Sequence, residues 1–129
     1  MRVPLLLLLA LSLAACAGRP PACPAGTAPW QRADLYFGTG DVPPASWQDF
    51  LAREITPRFP DGLTVLDAAG QWRDPADGRI TAEPARVVEI LFPPAPSRLA
   101  ALAEIRAAYR ARFAQQSVGL ALSDACAGF

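Results

Sequence analysis

The sequence predicts an α+β fold of the ferredoxin-like, split βαβ kind: a four-stranded antiparallel sheet with two helices on one face. Three observations lead there. The elements read in the order strand, helix, strand, strand, helix, strand. Residues 98 to about 115 place Leu99, Leu102, Ile105, Tyr109 and Phe113 on one helical face. Residues 85–92 form a Val, Ile and Leu-rich run closed by Pro93, Pro94 and Pro96, as a central strand would be. In this fold the first and third strands are central.

Each element has its own local reason. Residues 34–37 form a short strand that Gly38-Thr39-Gly40 ends. Residues 44–56 form a helix: Trp47, Phe50, Leu51 and Ile55 recur at helical spacing, Pro44 suits the first turn and Pro57 forces the stop. Phe59-Pro60-Asp61-Gly62 makes a turn. Residues 63–68 are the second strand, continuing past Gly70 to Trp72 if a bulge absorbs the glycine. Residues 74–78, Asp-Pro-Ala-Asp-Gly, are a hairpin loop. The third strand is 85–92. Ser97 is placed to cap the long helix, and 117–123 is the last strand.

The chain has 129 residues, enough for one domain. It carries 12 basic and 12 acidic residues, and every basic one is Arg; Lys and His are absent. No Ser-His-Asp triad, Cys–His pair, His-bearing metal site or lysine Schiff base can be built from this chain. The balanced charge argues against a nucleic-acid partner. No cofactor and no metal site is implied.

Residues 1–15 read as a lipoprotein signal peptide. Arg2 is the positive start, and 5–13 is an apolar run of nine residues, roughly 14 Å of helix, too short to span a bilayer. Leu13-Ala14-Ala15-Cys16 resembles a bacterial lipobox, which makes the Cys16 thiol the lipid acceptor. A triacylated, palmitate-bearing cysteine anchors stably. With Ala17 rather than Asp next, the expected address in a Gram-negative host is the outer membrane, facing the periplasm. Residues 16–29 hold this cysteine and a Pro/Gly-rich tether, and 30–129 form the domain. Once Cys16 is assigned to lipid, Cys23 and Cys126 remain. In an oxidising compartment a disulfide is their expected state, with a free or redox-active thiol as the alternative.

Leu35-Tyr36-Phe37-Gly38-Thr39-Gly40, Trp47, Phe50-Leu51 and Ile55 through Val65 form a distinctive string. So do Gly70-Gln71-Trp72-Arg73, Glu83, Tyr109 and Phe113 through Val118. Together they resemble bacterial lipoproteins of the domain-of-unknown-function family 3574, over about 30–129. Ala114 stands where a Gly is common in that pattern, and Ala85 where a Ser is common. The resemblance implies a secreted, lipid-anchored domain and assigns no reaction.

Gly38-Thr39-Gly40 is not a phosphate loop. Its third glycine position is Pro43, and Pro43 and Pro44 remove the N–H groups an anion would need. A tight turn using glycine's backbone freedom is the better reading. Asp74 and Asp77 lack the spacing and distal Glu of a calcium loop and read as a solvated hairpin tip.

Arg58, Asp61, Gln71, Trp72, Arg73 and Glu83 should fall into two polar clusters, because the hairpin end lies away from the 57–62 turn. Ordinary ion pairing and turn chemistry account for such residues. The functional alternative is an anionic or sugar-like ligand held by Arg73 and stacked on Trp72, with Glu83 as acid or base. If Leu35 and Phe37 face the helices, Tyr36 points to the open face, with Ser117, Gly119 and Ala121 beside it. Either Val87-Glu89-Leu91 or Val88-Ile90-Phe92 joins them. Such a face needs cover: a second copy as a homodimer, a ligand cleft, or the chain's own termini. In the long helix an alanine stripe (100, 103, 107, 111, 114) lies opposite the large apolar face, and four Arg against Glu104 make the helix basic. The leading expectation is a lipid-anchored binding or interaction module acting through the open face. The alternative is a small periplasmic enzyme using Glu83 or Glu89 with Tyr36 and Arg73.

Overall fold

The computed structural model describes residues 22–129. The expected signal peptide, Cys16 and the expected tether up to residue 21 lie outside the described residues. The elements are β1 (Ala28–Gly38), α1 (Pro44–Phe50) with a π-helical turn (Leu51–Ile55), β2 (Thr64–Arg73), β3 (Ile80–Phe92), α2 (Pro96–Phe113) and β4 (Gly119–Ala127). The sheet order is β2-β3-β1-β4, all antiparallel, so the first and third strands are central as the sequence predicts.

One face of the sheet carries the core. Ala33, Leu35 and Phe37 of β1 and Val88, Ile90 and Phe92 of β3 are buried there. They meet Trp47, Phe50 and Ile55 from the first helix and Leu102, Ile105 and Tyr109 from α2. At its centre the Phe37 ring packs edge-on against Tyr109 and Trp47, at centroid distances of 4.7 and 5.2 Å. Such aromatic pairs add about 0.5–1.5 kcal/mol each beyond the burial of their area. The Trp47 indole N–H is buried without an acceptor, while the Arg86 guanidinium lies 5.4 Å from its ring. Arg86 also meets Asp67, its cross-strand partner, at 2.8 Å.

The strands run longer than their apolar runs. β1 begins at Ala28 rather than residue 34, because 28–33 pair with β4 as far as Ala127. β2 continues to Arg73 in unbroken register, so no bulge forms at Gly70. β3 starts at Ile80 and β4 ends at Ala127. Cys23 and Cys126 are bonded, with Cα atoms 5.5 Å apart. The ordered domain therefore starts before residue 30, and half of the expected tether belongs to the fold. The chain-entropy model assigns a link of this span roughly 4–5 kcal/mol. Among the described residues, every buried one lies between Ala33 and Ala127, so the stretch from Cys23 onward holds a core of its own.

The helix ends also differ from expectation. The first helix widens after Phe50: both the Thr56 N–H and its hydroxyl donate to the Leu51 carbonyl, five residues back. Pro57, which has no N–H, ends it. Ser97 does not cap α2. Ala95 takes the extended N-cap position, and Pro96 occupies the first turn. α2 stops where Ala114 enters the left-handed region, φ 52 and ψ 34. Leu99 is largely exposed and Phe113 half-buried, so the buried stripe narrows to Leu102, Ile105 and Tyr109. Ala100, Ala103, Ala107, Ala111 and Ala114 all face solvent. Three of the four arginines are engaged: Arg98 with Asp61, Arg112 with Asp49, and Arg106 with the Val118 carbonyl.

The Ala114 conformation costs a residue bearing a Cβ roughly 1 kcal/mol relative to glycine. Ala114→Gly should therefore raise unfolding stability by roughly that amount in a urea titration with unchanged slope. No gain would mean that the α2 end relaxes at no cost.

Candidate functional site

Among the described residues, the face away from the helices is uncovered over most of its area. β-strand alternation puts Val87, Glu89 and Leu91 of β3 there, opposite Tyr36, Asp34 and Arg32 of β1. This settles the phase left open by the sequence. Tyr36 is 48% exposed, Leu66 50% and Trp72 42%. Ala121 and Gly119 lie beside them, as expected. Val118 is buried on the helix side, while Leu122, on that same side, lies beyond the helices and is exposed.

The β2–β3 hairpin runs past the end of β1 and turns toward the α2–β4 connection. Trp72 Nε1 donates to Gln116 Oε1 at 3.3 Å, and Gln116 Nε2 donates to Asp74 Oδ2 at 3.2 Å. Asp74 Oδ1 accepts the Ala76 N–H at 2.8 Å. These two contacts, that N–H first, hold the Asp74 carboxyl below its ordinary range. A groove of about 590 Å³ lies between the hairpin and the sheet. Tyr36, Gly38, Gly70, Trp72, Glu83 and Gln116 all line it.

Glu83 is seated by glycine. A Cβ on Gly38 would lie 2.5 Å from Glu83 Oε1, and one on Gly40 would lie 3.0 Å from Oε2. The Gly40 N–H donates to Oε2 at 3.3 Å. Neither glycine has positive φ. The expectation of a turn built on backbone freedom is thus corrected: Gly38 and Gly40 supply space for a carboxylate. The Gly38 carbonyl accepts the Tyr109 hydroxyl at 2.7 Å. Burial and then the Glu83 charge push the Tyr109 hydroxyl up to about 12, so it stays a donor across the neutral range. Gly119 serves the other wall, where the Tyr36 ring lies across the place of its missing side chain.

Other predicted site residues lie elsewhere. Arg58 is on the helix side, where it donates to the Glu54 carbonyl and meets Glu54 and Glu104 at 3.0 and 3.2 Å. The Arg58 and hairpin clusters are separate, as the topology implied. Arg73 follows Trp72 in the strand and points to the opposite face, beside Gly78, so it does not line the groove. Glu89 is on the same face as Glu83 but six residues along, roughly 20 Å away. There it pairs with Arg32 at 2.7 Å, near a second hollow closed by Trp30 and Phe129. Glu83 and Glu89 do not share a site. Asp41 and Arg79 line the groove without having been singled out, and Gln116 was quoted only within the family string, with no role. Asp41 and Arg79 carried no signal in the sequence. The hairpin tip has the expected solvated form, with Asp77 accepting the Arg79 N–H.

A family described as "Protein of unknown function (DUF3574)" matches residues 32–129, and the chain belongs to it. No curated protein matches. Among solved structures the chain is similar to a phage SAM lyase in complex with S-methyl-5'-thioadenosine. That match has a TM-score of 0.57 and 14% identity, covering 86% of this chain and 96% of that one. The phage SAM lyase in its apo state gives 0.51 at 14%, covering 81% and 91%. A PII-like nitrogen regulatory protein from Thiomonas intermedia K12, bound to ADP, AMP and bicarbonate, gives 0.46 at 12%, covering 80% and 97%. These are likenesses of fold.

If Gly38 is glycine to make room for Glu83, the two positions are coupled. Gly38→Ala should lower unfolding stability by roughly 1–2 kcal/mol with Glu83 present. In a Glu83→Ala background the same change should cost well under half of that. Equal costs in both backgrounds would show that the glycine serves something other than the carboxylate.

Proposed function

We propose that this chain is a lipid-anchored cell-envelope domain that binds a small molecule in the groove of its open sheet face. One observation carries the binding reading. A subset of the residues quoted for the family resemblance, among them Tyr36, Gly38, Gly70, Trp72, Glu83 and Gln116, lies far apart in the chain yet converges on one concave surface. Most of them have no part in the buried core. The groove volume falls in the range of small-ligand sites.

The anchor rests on Leu13-Ala14-Ala15-Cys16 and the short apolar run before it. The Cys23–Cys126 disulfide fits an oxidising compartment such as the periplasm. Among the described residues no helix is long and apolar enough to cross a membrane. Ala17 favours the outer membrane. With labelled palmitate in the medium, the wild-type chain should take up label and sediment with membranes. Cys16→Ala should lose both properties. Label retained by Cys16→Ala, or an unlabelled soluble wild type, would overturn the anchor.

Native mass spectrometry of residues 17–129, exported to an oxidising periplasm, tests the binding role. The expected species is a monomer that carries a co-purified small molecule. A clean apo dimer would mean that the open face is a subunit interface. Turnover of a co-purified molecule, lost in Glu83→Gln, would favour the enzyme alternative with Glu83 and Tyr36, and Arg73 would have no part in it.

A further inference from the structure

We infer that the groove takes a small organic cation, with an ammonium-type group beside a planar ring. This rests on the groove being the binding site and names the ligand class.

The charge balance gives the sign. Among the described residues, Asp41, Asp74 and Glu83 line the groove against one cation, Arg79. Asp74 is already engaged by Gln116 and the Ala76 N–H. Among the described residues Glu83 meets no cationic side chain, and its polar partner is the Gly40 N–H at 3.3 Å. Its carboxylate is half-buried and retains open acceptor sites on the groove side. A cation satisfies it; an anion meets like charge. Two other arginines that would suit an anion are elsewhere: Arg73 points to the opposite face, and Arg58 is held by Glu54 and Glu104, so Arg79 alone faces the three carboxylates of the groove.

The walls and floor give the shape. Tyr36 and Trp72 present half-exposed rings, and aromatic faces attract cations. Between them Ala68, Gly70 and Ala85 leave a floor without large side chains, against which a flat ring can lie. The Trp72–Gln116 hydrogen bond fixes the indole before any ligand arrives.

Three phenyl probes with the same two-carbon spacer separate charge from shape: phenethylammonium, 2-phenylethanol and 3-phenylpropionate. They are titrated into residues 17–129 while the Trp72 indole N–H resonance is followed, assigned through Trp72→Phe. Phenethylammonium should bind roughly tenfold or more tightly than 3-phenylpropionate, with 2-phenylethanol between them. Glu83→Gln should remove most of that preference and keep the phenylethanol response. The glutamine preserves length and an acceptor for the Gly40 N–H. Should that variant unfold by circular dichroism, Asp41→Asn, at an exposed loop position, should narrow the same preference. Equal or tighter binding of the carboxylate overturns the cation class and leaves the groove reading standing. No response to any of the three probes overturns both.

Discussion

Much of this structure depends on where the Tyr109 ring can go. It is fully buried against Phe37, Phe50 and Phe113, with centroids 4.7 to 5.1 Å away. Its hydroxyl cannot remain buried without an acceptor, and the Gly38 carbonyl provides one. The ring sets the depth of α2 over the sheet, and the hydroxyl fixes the end of β1. Burying such a ring contributes a few kcal/mol against about one for the hydrogen bond. Packing therefore decides that the helix docks there, and the hydroxyl decides the register in which it docks. That register places Gly38 and Gly40 where they admit the Glu83 carboxylate.

The two faces of the sheet follow from one period. Alternation along β1 sends Ala33, Leu35 and Phe37 to the helices and Arg32, Asp34 and Tyr36 to the other side. Two helices can cover only one face in this topology, so the second must be polar, occupied or bound to something. Here it is divided. The end near the disulfide is dressed by the Arg32–Asp34–Glu89 ion network and by Trp30 against Phe129. The other end is walled by Tyr36 and Trp72 and keeps its groove. The overhanging hairpin makes the difference, because Trp72 and Asp74 both reach Gln116 across the end of the sheet.

Local chemistry made the architecture readable. Helical spacing in 98–113, the prolines at 44, 57 and 93, and the order of elements were enough for the fold class and for the central pair of strands. The boundaries were less readable, because β1 and β4 are extended by each other. Residues 28–33 carry Pro29 and little apolar pattern; 122–127 lie alongside all of them, and 90–92 of β3 pair with 31–33 from the other side. The expected bulge at Gly70 is absent for a related reason. The glycine serves a close approach to Ala85, at 3.2 Å from where its Cβ would stand, and the register never breaks.

The sequence by itself determined the fold class and which two strands are central, and it left Cys23 and Cys126 as the one pair once Cys16 was assigned to lipid. Those follow from short-range periodicity and from counting. Only the tertiary structure decided which polar residues meet. Trp72 and Arg73 are adjacent in sequence yet point to opposite faces, so one borders the groove and the other leaves it. Glu83 and Gly38 are 45 residues apart yet share one space, and Gln116 comes from a third segment to close it. Contacts of this kind depend on sheet register and hairpin curvature. Both are set by many weak contacts summed over the whole domain, and neither is written in any local window.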